Sequence, residues 1–279
     1  MYKIITKALS CRIKRVLPVV IDDSQSSFLK DRGLLDSVLV ANEVVEELRR
    51  YRRRDLCLKV DYEKAYDSVR WDFLFDMLHR LGFHSKWIMW IRGCLESALV
   101  SVLVNRSSTT EFHPSRGLRQ GDPLAPFLFL IVAEGLAGLV REAIKANLLK
   151  GVKVGKKEVE AFVLQFIDDT LFMCEDTYNK VMYIKAILRF YELAFGLKIN
   201  FYKLKPTGIN VESNAQCYHI SAMASPWRIS VAEFQTTATT RRWRIGFRMA
   251  AHGGRYWHGG AVTDIGDIQN IGRQRSLKE

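Results

Sequence analysis

The stretch VLQFIDDTLFMCE, Val163–Glu175, decides how this chain is read, because two adjacent acids, Asp168 and Asp169, interrupt two apolar runs. Phe162, Val163, Leu164, Phe166 and Ile167 precede the pair, and Leu171, Phe172 and Met173 follow it. The pattern predicts two buried strands that present the carboxylates at their connection. An ordinary surface turn would carry Asn or Gly at such a place. Adjacent aspartates in isolation are mostly solvated; the apolar flanks make this pair a candidate metal site.

Working outward, the upstream stretch LCLKVDYEKAYDSV (56–69) supplies a third acid. The alternation of Leu56, Leu58 and Val60 predicts a half-buried strand that delivers Asp61 at its end. Three acids from two strand ends suit a pair of divalent cations. Mg²⁺ takes carboxylate oxygens together with waters and substrate phosphates. Two such ions stabilise the attacking and leaving oxygens of an in-line phosphoryl displacement. Nucleotidyl transfer is the chemistry implied.

Composition agrees with a nucleic-acid partner. The 279 residues are 48% hydrophobic, as in ordinary globular proteins, and carry a net charge of +12, which favours a polyanion. Cys11, Cys57, Cys94, Cys174 and Cys217 form no CxxC pair, and the histidines form no HExxH, which argues against a disulfide framework or a zinc site. No secretory signal pattern is visible. The longest apolar run, 123–133, is too short to span a bilayer and is closed by Glu134. The expectation is a soluble intracellular protein, nuclear or cytoplasmic and not secreted, with no membrane contact.

Periodicity predicts a first helix with Ile4, Ile5, Ala8 and Leu9 on its apolar face, and a second, opened by Asp36, with Val38, Leu39, Val44, Val45 and Leu48. The second ends in RRYRRR (49–54), read either as a phosphate or nuclear-address patch or as a solvated helix end complementing the dipole. Further helices are expected over 71–81, 87–95, 124–149 and 178–195, with Gly82 and Gly196 as stops. The long one should bury Leu128, Ile131, Val132, Leu136, Leu139 and Ile144. Residues 99–104 and the segment around Phe112 should form a hairpin about NRSSTT (105–110). Strands alternating with helices, with a hairpin projecting two acids, fit an α+β palm. No Walker or dinucleotide glycine loop is present.

The segment SRGLRQGDPLAPFLFLIVAEGL (115–136) completes an ordered series with QSSFLKDRGLLDSVLVANEV (25–44), LKVDYEKAYDSV, FIDDT (166–170) and GLKINFYKLK (196–205). From about Tyr2 to about Lys205 the chain resembles the reverse transcriptase of LINE-type non-LTR retrotransposons, especially those of plants. The resemblance implies a right-hand polymerase palm over 56–212 with intervening fingers elements. It implies partial helical fingers over 1–55 and an unmatched basic, Gly/Arg-containing tail over 213–279 in place of a recognisable thumb. It also implies RNA-directed DNA polymerase activity, an RNA template, a DNA primer and deoxynucleoside triphosphates.

Carried over residue by residue, the resemblance implies that Asp61, Asp168 and Asp169 hold two Mg²⁺ ions, with Mn²⁺ as a substitute. Tyr66 corresponds to the aromatic beneath the sugar of the incoming nucleotide, where it excludes a ribose 2′-OH; the plainer reading is a core tyrosine. Gln120 and Gly121 correspond to the turn against the nascent base pair, and Pro123 to the start of the following helix. Arg116 and Arg119 correspond to phosphate contacts, or are solvated loop cations. Lys203 corresponds to a basic residue that approaches the triphosphate, and Arg32 to a fingers residue at template or nucleotide phosphate.

Two positions depart from the family pattern. Ile167 stands where the family has alanine before the acid pair, and Phe195 where it has serine before GLKIN. The family's triphosphate-gripping fingers segment, its endonuclease and its thumb are not recognisable, so the expectation is a chain truncated at both ends. The tail is read as a loosely packed or disordered extension, or as a surface whose Trp227, Trp243 and Trp257 stack on single-stranded bases. The alternative function is an inactive retrotransposon relic that keeps the fold and at most binds nucleic acid. A metal-dependent nuclease leaves Tyr66 and Gln120 unexplained.

Overall fold

The computed structural model describes residues 1–29, 32–154, 159–201 and 203–211, together with two short strand pairs, Trp243–Ile245 with Thr263–Ile265 and Met249–Ala250 with Tyr256–Trp257. Of the tail tryptophans expected to stack on bases, Trp227 lies outside the described residues, while Trp243 and Trp257 are described as strand backbone only; the rest of the tail, on which the expectation of disorder falls, lies outside them.

The organising element is an antiparallel four-stranded sheet in the order β6-β7-β1-β8. Its strands are β1 (Asp55–Val60), β6 (Val163–Phe166), β7 (Asp169–Glu175) and β8 (Lys205–Ile209). Leu56, Leu58 and Val60 of β1 and Phe172 and Cys174 of β7 point to one face, as a period of two requires. There they meet the apolar sides of α6 (Ala125–Lys145) and α7 (Tyr178–Phe195), backed by α4 (Trp71–Arg80) and α5 (Ser85–Glu96). The opposite face is covered over part of its length only. Cys57, Met173 and Ile209 pack with Val44 and Leu48 of α2 (Leu34–Arg50) and Val152 of β4 (Val152–Val154), which pairs with β5 (Val159–Ala161). β1 is therefore buried on both faces at its start and not half-buried throughout.

Several expected elements appear with shifted limits. The first helix, α1 (Tyr2–Val20), forms, but its buried face is Thr6, Leu9, Ser10, Ile13 and Leu17, while Ile4 and Ile5 lie outside. Apolar counting missed this because the hydroxyls of Thr6 and Ser10 bond back to Lys3 O (3.4 Å) and Lys7 O (2.8 Å), so two polar residues are buried at little cost. In α2, Val44 and Leu48 are buried as expected, whereas Val38 and Leu39 are exposed. Helix α6 begins at Ala125 and not at Pro123 or Leu124. It ends at Lys145, short of Leu149, because Asn147 turns left-handed (φ 56) and its successor's N–H returns to Ala143 O at 2.9 Å. The expected strand over 99–104 shrinks to β2 (Leu103–Val104), paired with β3 (Ser107–Ser108) across an Asn105–Arg106 turn, with a bridge between Val100 and Phe112. A short helix, α3 (Ala65–Ser68), follows the Asp61 loop, and α7 ends at Gly196 as expected.

Phe195 joins the core. Its ring lies 3.9 Å from that of Phe73 and 4.5 Å from that of Tyr191, so the large side chain fills the space between α4 and α7. Among the described residues, no helix is long and apolar enough to cross a membrane.

Candidate active site

Local sequence brings the acids to one edge of the sheet. Strands β6 and β7 are joined by a two-residue turn, Ile167–Asp168, closed by the pair Phe166↔Asp169. The β1–β7 register runs from Asp55↔Glu175 to Val60↔Thr170, and Asp61 and Asp169 are the next residues outward from that last pair. Asp168 and Asp169 are exposed, and the Asp61 side chain keeps about a third of its surface (33%) open to solvent. Asp61 and Asp169 thus stand at neighbouring strand ends, with Asp168 on the turn beside them. Asp168 lies close enough to Tyr62 and Tyr66 that, after burial, its charge helps to raise both phenols above their ordinary pKa.

Two lysines balance this charge. Lys59 Nζ lies 2.9 Å from Asp169 Oδ1, and Lys203 Nζ lies 2.9 Å from Asp61 Oδ2. Lys59 stands two residues before Asp61 on the same face, diagonal to Asp169, within reach of a long side chain. Its hydrogen bond to Asp169, with the fields of Asp169, Asp61 and Asp168, holds the ammonium above its ordinary range. Lys59 was not legible as a site residue. Alternation shows that it points outward, but only the strand register gives it Asp169 as a neighbour.

Lys203 reaches Asp61 because the GLKIN loop docks along the strand end. Glu63 N–H donates to Lys198 O (2.7 Å), Asn200 N–H donates to Asp61 O (2.9 Å), and Tyr62 bridges Ile199. Tyr66 is half-buried, with its ring stacked on Phe129 at 4.9 Å and 14°. The Gln120–Gly121 turn is anchored beside it. Leu118 N–H donates to Tyr66 O (2.8 Å), Gly117 N–H donates to Val69 O (2.7 Å), and Trp71 Nε1 donates to Gly117 O (2.7 Å). Gly117 (φ 90) is required there, since a Cβ would stand 2.9 Å from Asp67 O. Gly121 (φ 79) differs, because a Cβ would meet nothing within 4 Å, so the backbone faces open space on that side.

Asp122 fixes the end of this turn. Its carboxylate accepts from Tyr2 Oη, and from Leu124 N–H at 2.8 Å where α6 starts. Arg119 lies over the Tyr2 ring, 4.9 Å from its centroid. Arg119 and Arg116 line a cleft of about 210 Å³ floored by Trp71, Leu95 and Leu118. Arg32 stands apart from the three acids in its contacts. Its guanidinium donates to Asp22 O (2.6 Å), Gln25 O (2.9 Å) and Asp23 Oδ1 (2.8 Å), clamping the 21–25 loop.

The donors suit a hard divalent ion, being carboxylate oxygens with solvent access. Among the described residues, no three acidic, His or Cys side chains are gathered tightly enough to hold an ion by themselves.

A sheet with helices on one face and three acids at the open edge of the other is the palm of a right-hand polymerase. Solved structures agree on the fold. A telomerase from Candida tropicalis, in its apo form, superposes with a TM-score of 0.52 at 15% identity, over 75% of this chain and 41% of that one. A telomerase from Candida albicans, in complex with a fragment of telomeric RNA, does so with a TM-score of 0.52 at 13% identity, over 75% and 34%. Residues 1–219 match the family described as reverse transcriptase (RNA-dependent DNA polymerase), and the chain belongs to that family. Relatives include the Pol polyprotein of the retrotransposable element R2DM of Drosophila melanogaster, 26% identical over 83% of this chain and 21% of that protein. Another is the transposon TX1 149 kDa protein of Xenopus laevis, 29% identical over 63% and 13%. The chain thus spans about a fifth or less of the length of these relatives.

Proposed function

We propose that this chain is the reverse transcriptase domain of a non-LTR retrotransposon, adding deoxynucleotides to a primer 3′-OH on an RNA template. The carrying observation is that β1 and β7 pair as far as Val60↔Thr170, so that Asp61 leaves the end of one strand where Asp169 begins the other, with Asp168 on the adjoining turn and both acids of the pair exposed. On this reading Asp61, Asp168 and Asp169 hold Mg²⁺, with Mn²⁺ as a substitute. When bound, two such ions stabilise the attacking and leaving oxygens.

The chain's own residues then bind and orient. Tyr66, kept rigid by its stack on Phe129, forms the floor under the sugar and leaves no room for a 2′-OH. The open side of Gly121 admits the nascent base pair to the backbone. Lys203, whose ammonium pairs with Asp61, would be free to turn to the triphosphate, keeping its proton, if that acid held a cation. Arg116 and Arg119, at the rim of their cleft, meet template or primer phosphates, which fix register without reading sequence. Residues 1–55 serve as partial fingers and 56–212 as palm; Arg32 acts by holding the 21–25 loop.

Primer extension on an RNA template with Mg²⁺ tests this. Asp168→Asn should lower incorporation by about a thousandfold or more. Equal incorporation by the variant would overturn the site. No incorporation by the unmodified chain, with salt-dependent RNA binding retained, would leave the relic reading.

A further inference from the structure

Ile167 is the conformational oddity of the hairpin. It holds φ 56, and a β-branched side chain there is a steric outlier. Its N–H donates to Ser27 Oγ at 2.6 Å, across 140 positions of sequence. Ser27 itself is 1% exposed.

That bond closes a ladder. The 24–27 loop lies along the outer edge of β6: Gln165 N–H donates to Ser24 O (2.8 Å), Ser26 N–H donates to Gln165 O (3.2 Å), and Gln25 bridges Gln165 in parallel. Two residues further on, the turn lifts Ile167 out of strand geometry, and the side chain of Ser27 reaches where its backbone does not. The loop is held by several further bonds. Ser27 N–H donates to Gln25 Oε1 (3.1 Å), Arg32 clamps residues 22 and 25, and Asp22 N–H donates to the buried Glu134 of α6 at 2.8 Å. Arg141 ties Glu134 (2.7 Å) and the Asp22 carboxylate together.

We propose that Ser27 is a positioning residue for the catalytic turn: its buried hydroxyl accepts the Ile167 N–H, keeps Ile167 left-handed, and thereby fixes the direction of Asp168, the next residue of that turn. The inference rests on the polymerase reading of the site. Without the hydroxyl, Ile167 keeps the steric cost of its conformation and loses the hydrogen bond that favours it, while a part-buried N–H is left unpaired.

The experiment compares Ser27→Ala, Ser27→Thr and the unmodified full chain by two readouts, amide hydrogen exchange at Ile167 and single-nucleotide primer extension. Ser27→Ala should speed exchange at Ile167 by about tenfold, as loss of one buried hydrogen bond predicts. It should slow turnover by about tenfold with the nucleotide KM within about twofold, since a small misplacement of a reacting group costs rate and not ground-state binding. Ser27→Thr, which keeps the hydroxyl, should restore both. Unchanged exchange in Ser27→Ala, unchanged turnover despite faster exchange, or equal losses in the Ala and Thr variants would each overturn the proposal. If Ser27→Ala does not fold, Ser27→Cys, close in size but a poor acceptor, carries the same comparison. If the unmodified chain incorporates nothing, the polymerase reading fails, and exchange at Ile167 still decides whether Ser27 holds the turn.

Discussion

The two ends of β1 carry one aspartate each, Asp55 and Asp61, six residues apart and on the same face of the strand by alternation. Asp55 lies on the covered part of that face. It is 1% exposed, its carboxylate oxygens lack hydrogen bonds among the described residues, and Arg53 Nε stands 3.6 Å away. Burial pushes its carboxyl up to about 6 and raises the neighbouring thiols of Cys57 and Cys174 to about 11 and about 12. Asp61 lies where that cover has stopped, partly open to solvent and ion-paired to Lys203. Of two acids on one strand, only the one that keeps solvent access and a replaceable counter-ion is available to a cation. Identical chemistry under a helix is a liability that folding overcomes.

The widest separation should appear in catalysis. Asp61→Asn is expected to cut incorporation by about a thousandfold, while Asp55→Asn should stay within about threefold, on the general additivity of distant sites. Parallel primer-extension rates check this, and a comparable loss in both variants would erase the distinction between the two ends.

Stability should separate them in the opposite sense. A carboxyl whose folded pKa is raised from 3.8 to about 6 contributes stability that is fully present below about pH 4 and lost as the pH rises through about 6. Asn mimics the protonated form at every pH. Asp55→Asn should therefore gain on the unmodified chain by ~2 kcal/mol between pH 4 and pH 8. Urea unfolding at the two pH values measures the gain; a difference that does not change with pH would show that Asp55 is not held protonated.

The smallest effect concerns the counter-ions. Removing the Lys59 charge by Lys59→Met should tighten Mn²⁺ binding by about fivefold at low salt, with the gain shrinking as ionic strength rises. Titration followed by electron paramagnetic resonance reads the affinity directly. Weaker binding in the variant would mean that Lys59 shapes the site and does not compete for it.

Much of this site was legible in the chain. The apolar runs on both sides of Asp168 and Asp169 dictate a tight connection between buried strands, and the structure has a two-residue turn there. Likewise Leu56, Leu58 and Val60 point Asp61 to the strand end, and Gly196 ends its helix where expected. What periodicity misjudged was depth. Thr6 and Ser10 face the core of α1 because their hydroxyls bond locally, and Cys57 is buried because α2 returns across the sheet. The contacts of Arg32 were likewise not legible, since no local pattern shows that its guanidinium donates to Asp22 O, Gln25 O and Asp23 Oδ1 of the preceding loop.

By itself, then, the sequence determined the class of fold and the placement of Asp61, Asp168 and Asp169 at strand ends, because those depend on patterns of two to four residues and on motifs in order. Tertiary structure alone decided that Lys59 and Lys203 pair with Asp169 and Asp61, that Ser27 takes the Ile167 N–H, and that Asp55 and Asp61 differ in fate. These depend on strand register and on where a helix ends its cover of the sheet. Both are set by contacts between residues far apart in the chain, which no local pattern encodes.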